Sequence, residues 1–143
     1  MKRHESLVAL SHEHHDALML AWRLRTGDLS KREPELRARH VNAFFEYRLV
    51  SHFKLEEELV FPAFRPVLGV EASLIDLLLS DHRELSAKAA AIKAGAHDQV
   101  DDFCALLESH VRTEERQLFV LAENRMKPAE MAELGRQIKA RLG

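Results

Sequence analysis

Cys104 is the only cysteine in the 143-residue chain, so no disulfide can staple it and no site built on several thiolates can form. Glycine and proline are also scarce, at five and four residues, which argues against a turn-rich β protein. No apolar run approaches the roughly 18 residues needed to span a bilayer, and no apolar segment follows the charged start Met1 to Ser6. The expectation is a soluble, cytoplasmic protein. The formal charge of −2, with its signs interspersed, gives no reason to expect nucleic acid or a membrane surface as partner. Phosphate-binding glycine loops, dinucleotide fingerprints and nucleophile elbows are missing too, which removes several large enzyme classes.

What remains is 46% hydrophobic and 31% charged, a balance suited to amphipathic helices in one domain. A first helix is expected over about 5–25, with Leu7, Leu10, Leu18, Ala21 and Trp22 inward and Gly27 as its stop. Pro34 suits the first turn of a second helix, running to about 61 or slightly beyond, where Pro62 and Pro66 weaken it. Its inward stripe reads Val41, Phe45, Leu49, His52, Glu56 and Leu59. A third helix, from about 70 to Lys93, carries Leu74, Leu77, Leu78, His82 and Leu85. A fourth, over about 99–123, carries Phe103, Leu106, Leu107, His110, Glu114 and Leu118. After a break, Pro128 opens a short fifth helix with Met131, Leu134, Ile138 and Leu142 in one stripe. Four long helices with short connections imply an all-α, up-down-up-down four-helix bundle with a C-terminal fifth helix.

One pattern occurs twice. His52 is followed by Glu56 and Glu57, Val60 and Phe61; 58 residues later His110 is followed by Glu114 and Glu115, Leu118 and Phe119. Residues four apart share a helix face, so each copy projects an imidazole and a carboxylate together into the bundle core. Burying such groups without a cation is costly, which makes them candidate metal ligands. Glu57 and Glu115, about 100° round from the glutamates before them, are candidates for orienting imidazoles. His82 is inward on the third helix. On the first, aligning His15 with His82 also pairs Leu18 with Leu85 and Leu10 with Leu77, whereas aligning His14 pairs the acids Glu13 and Asp81. The leucine match favours His15. His4, His12 and His40 lack such a context, and His97 falls in a turn.

Imidazole and carboxylate donors without thiolate suit iron, manganese or zinc rather than calcium. Four histidines and two glutamates exceed the needs of one tetrahedral zinc and suit a dinuclear site. The order differs from ferritin-like bundles, where the glutamate precedes the histidine by three residues.

These residues resemble the hemerythrin-like, or HHE cation-binding, domains over about residues 7–122. The resemblance rests on His15, His52-x3-Glu56, the string Asp81-His82-Arg83-Glu84-Leu85, and His110-x3-Glu114-Glu115. It implies a non-haem diiron centre inside the bundle, with Glu56 and Glu114 bridging and His15, His52, His82 and His110 as terminal ligands. The oxygen-carrying members have a second histidine on the third helix where Ser86 stands here. One iron is then expected to be under-coordinated, water-ligated or absent, unless His14 or His12 compensates.

The leading functional reading is a protein that holds non-haem iron and binds or senses oxygen, peroxide or nitric oxide, or handles iron. A diiron enzyme of peroxidase or ferroxidase type is the alternative, and a metal-free helical interaction module is a third.

Overall fold

The computed structural model describes residues 2–143, and these form an all-helical bundle. A 3-10 turn (Glu5–Leu7) leads into α1 (Val8–Arg25). The second helix, α2, spans 34–68 without interruption, opening on Pro34. A 3-10 turn (Gly69–Ala72) precedes α3 (Ser73–Lys93), and another (His97–Gln99) precedes α4, which spans 100–125. The short fifth helix, α5 (Pro128–Leu142), completes the chain. No described helix is long and apolar enough to cross a membrane.

Helix α1 packs along α4, and α3 packs against both α2 and α4. Helix α5 docks Met131, Leu134 and Ile138 across the Glu5–Leu7 turn and residues 56–60 of α2, while Leu142 remains exposed.

The inward faces of α1 and α3 step in alternating threes and fours. The stripe that begins at Leu7 in the first turn continues along α1 as Leu10, His14, Ala17, Ala21 and Leu24, with Leu20 buried beside it; in α3 the stripe is Ile75, Leu78, His82, Leu85, Ala89 and Ile92. Trp22 and Leu77, expected inward, are 52% and 54% exposed because they fall outside that stripe. Gly27 does not take a left-handed conformation; its role is steric, since a Cβ there would meet Trp22 Cζ3 at 2.6 Å. The left-handed stop belongs to Gly69, with φ of 56°, which ends α2.

Helix α2 continues past Pro62 to Leu68, farther than the prolines suggest. A π turn (Glu56–Val60) lies just before Pro62 and widens the helix where the proline ring would crowd the carbonyl four residues back. Burial of Phe61, Phe64 and Leu68 holds this extension against the bundle. A matching π turn (Glu114–Leu118) lies within α4, and a third (Phe45–Leu49) lies nearer the start of α2.

The apolar core is divided in two. One cluster gathers Ala21, Leu24, Val41, Phe53, Leu85 and Phe103; the other gathers Leu10, Phe64, Leu78, Leu118, Phe119 and Met131. Between them, at one level of the bundle, lies a layer of buried polar side chains.

Candidate metal centre

Each of the four long helices contributes to that layer. Helix α1 supplies His14, α2 supplies His52 and Glu56, α3 supplies His82, and α4 supplies His110 and Glu114. All six are buried, and both glutamates have no exposed surface. The expectation for α1 is corrected: His15 is exposed and stands outside the cluster. His14 occupies the inward stripe, and the next residue is rotated about 100° away from it. The useful signal lay in the other alignment. At a shift of 68, Leu7 and five buried positions of α1 fall on the six buried positions of α3, with Leu20 alone unmatched, and Glu13 falls on Asp81.

The imidazoles converge through Nε2. His14 Nε2 lies 3.1 Å from His52 Nε2 and 3.4 Å from Glu114 Oε2. Glu56 Oε1 lies 3.4 Å from His52 Nε2 and 3.0 Å from His82 Nε2. The other oxygen of Glu114 contacts His110 Nε2. Each glutamate therefore reaches imidazoles of both pairs, Glu56 also lying 3.9 Å from His14. The donors form two overlapping groups: His14, His52, Glu56 and Glu114, and His82, His110, Glu56 and Glu114, with ligand atoms in each lying within 4.8 Å of one another.

Hydrogen bonding inside the layer is incomplete. Glu56 Oε2, both oxygens of Glu114 and His110 Nε2 have no hydrogen-bond partner among the described residues, although His110 and Glu114 touch. A buried carboxylate left this way costs several kcal/mol unless something positive sits among its oxygens. In the protein alone that role falls to protons. Burial by itself would lower the His14 and His110 pKa values, but Glu114, joined by Glu115 at His14 and by Asp81 and Glu56 at His110, outweighs it and carries them up to about 9 and about 10. His52 is raised well above its usual value, where burial is opposed chiefly by Glu56 and then Glu13. Burial would raise Glu114, yet His110 and its other neighbours hold it well below the ordinary carboxylate range. Protons on these histidines thus supply positive charge beside the buried carboxylates.

The outer nitrogens are also engaged. His14 Nδ1 lies 2.5 Å from Glu115, His52 Nδ1 2.9 Å from Glu13, His82 Nδ1 2.7 Å from Glu57, and His110 Nδ1 3.0 Å from Asp81. Aromatic rings clamp the imidazole planes. Phe61 and Phe119, the ninth-position phenylalanines of the repeated pattern, stack on His82 and His14 with centroids 5.6 Å apart in both cases. Phe53 stacks more closely on His82, at 3.9 Å.

Residues 4–122 match the family described as Hemerythrin HHE cation binding domain. The chain belongs to that family. Comparisons with curated proteins and with solved structures return no match.

In this HHE domain, Ser86 takes no part in the cluster: its hydroxyl donates to the His82 carbonyl at 2.7 Å. His12 is exposed and does not compensate. With His14 as the α1 donor, however, neither group is short of the other. Each has two imidazoles and shares the same two carboxylates. His4 caps the first turn, its Nδ1 accepting from the Ser6 N–H at 3.0 Å.

Proposed function

We propose that this HHE domain holds two non-haem iron ions and binds a small molecule at them, oxygen, nitric oxide or peroxide. His14 and His52 would hold one ion, His82 and His110 the other, with Glu56 and Glu114 shared. The observation that carries this reading is the pair of overlapping donor groups whose buried carboxylate oxygens lack partners. Imidazole and carboxylate without thiolate suit iron, with manganese and zinc as the competing ions. Iron held here would supply redox capacity and Lewis acidity.

The chain's own residues set the rest. The apolar clusters above and below the layer leave its six side chains almost wholly buried. A cavity of about 10 Å³ adjoins His14, His52 and His110, walled by Ala17, Leu107 and Val111. That is room for roughly one water-sized molecule, which favours a small ligand.

Anaerobic reconstitution with ferrous iron, followed by metal analysis and absorption spectra with oxygen, nitric oxide and hydrogen peroxide, tests the proposal. Two irons per chain and a ligand-dependent spectrum are expected. One tightly held zinc with no uptake of iron would refute the diiron assignment.

A further inference from the structure

We propose that Glu13, Glu57, Asp81 and Glu115 are positioning residues joined head to tail around the bundle, each helix fixing the imidazole of the next. Glu13 of α1 faces His52 of α2, and Glu57 of α2 faces His82 of α3. Asp81 of α3 faces His110 of α4, and Glu115 of α4 closes the circle on His14 of α1. No imidazole is held at Nδ1 by a carboxylate of its own helix. The inference rests on the reading that the layer holds cations.

Sequence spacing explains how one helix does both jobs. Each positioning carboxylate is the immediate neighbour of a cluster residue: Glu13 of His14, Glu57 of Glu56, Asp81 of His82, and Glu115 of Glu114. A rotation of about 100° carries it from the inward face to the flank, where the adjoining helix presents its imidazole. The consequence is chemical. A neutral imidazole has one N–H and one lone pair, and a carboxylate accepting from Nδ1 leaves the lone pair on Nε2, the atom that points inward in all four histidines.

The circle divides by donor group. Glu13 and Glu115 serve His52 and His14, whereas Glu57 and Asp81 serve His82 and His110. The four are not equally held. Glu115 accepts from the Ser11 hydroxyl at 2.9 Å and lies 3.4 Å from Arg3, while the Glu57 side chain is 46% exposed. Glu57 is therefore the member whose replacement least threatens the fold.

The test uses the full chain with zinc as a diamagnetic probe. Glu57→Ala, Glu57→Gln, Glu13→Ala and Glu13→Gln are compared with the parent by chelator competition and by nitrogen-15 spectra of the imidazoles. Glu57→Ala should weaken one of two zinc ions about 10- to 100-fold and alter the Nδ1 signal of His82 alone. Glu13→Ala should do the same to the other ion and to His52. The Gln variants should recover most of the loss, because an amide oxygen still accepts from Nδ1–H. Unchanged affinities with all four Nδ1–H signals intact in the Ala variants would overturn the proposal. So would equal loss of both ions in every variant. If the parent takes up no metal, the diiron reading fails by itself. The circle is then judged on the metal-free protein, where four exchange-protected Nδ1–H signals support it and their absence refutes it.

Discussion

Replacing His14 and His15 in turn is the sharpest test of the α1 register. In the metal-free protein the His14 imidazolium lies between Glu115, at 2.5 Å, and Glu114, at 3.4 Å. Removing one partner of a buried ion pair costs about 3–5 kcal/mol. Glu114 keeps its contact with His110, so the lower end, about 3 kcal/mol, applies to His14→Ala. A chain of 143 residues has an unfolding entropy of about 0.3 kcal/mol/K, which converts that loss to a Tm lower by about 10 °C. His15 is exposed, and His15→Ala should stay within about 0.5 kcal/mol of the parent, a shift under about 2 °C. Thermal melts of chelator-treated protein give these numbers, and metal analysis after iron loading gives a second readout. His14→Ala should fall from two ions toward one, while His15→Ala keeps the parent's content. A His15→Ala variant that loses metal or melts early, beside a His14→Ala variant that does neither, would refute the register and the cluster built on it.

Glu56→Ala and Glu114→Ala should each reduce bound iron to one ion or none in metal analysis. Glu58→Ala should keep both, because Glu58 points outward to Arg141 at 2.9 Å. The metal-free protein should also lose stability as pH rises. The folded-state pKa values of His14 and His110, about 9 and about 10, exceed the usual 6.5, so their contribution is complete below 6.5 and disappears as pH climbs through 9 to 10. Glu114, depressed well below 4.5, adds stability above 4.5 that is lost as pH falls through its folded-state value. A melting temperature that is flat or rising between pH 7 and pH 9.5 would contradict this. Gly135→Ala should lower stability by about 1–3 kcal/mol in denaturant titration, since the new Cβ would meet Ser6 Oγ at 2.5 Å and the Ser6 backbone at 3.2 Å.

The bundle, its five helices and five of the six cluster residues were legible in the sequence because helical phase and a repeated motif both marked them. His14 is the exception. The alignment that favoured His15 relied on Leu77, which is hydrophobic but exposed, and on Leu18, which is only half-buried. Hydrophobicity at two positions outweighed phase at six. The acid–histidine pairs Glu13–His14 and Asp81–His82 carried the right register, because those acids face the next helix only when the histidines face inward. Ser86 bonds the His82 carbonyl outside the cluster, and each donor group keeps two imidazoles and the same two carboxylates.

The π turns could not be read, since no residue type announces them, yet they account for the spacing of the repeat. Eight residues of regular α-helix carry a side chain about 80° past its starting face. Val60 and Leu118, eight residues after His52 and His110, would drift off the core by that amount. Each π turn begins at the motif glutamate and closes from residue i to i+5, with the Phe61 N–H reaching Glu56 and the Phe119 N–H reaching Glu114. A turn wound this way advances by less than 100° per residue, so Val60 and Leu118 return beneath the histidines and are fully buried. The following residues, Phe61 and Phe119, then reach the flank and stack on imidazoles of the adjoining helices. In both copies the change of winding comes at the point where the helix passes from the polar layer into the second apolar cluster. The regular helix before it suffices to set His52 over Glu56 and His110 over Glu114. It is the anchoring of that pair on the core beneath that needs the wider turn.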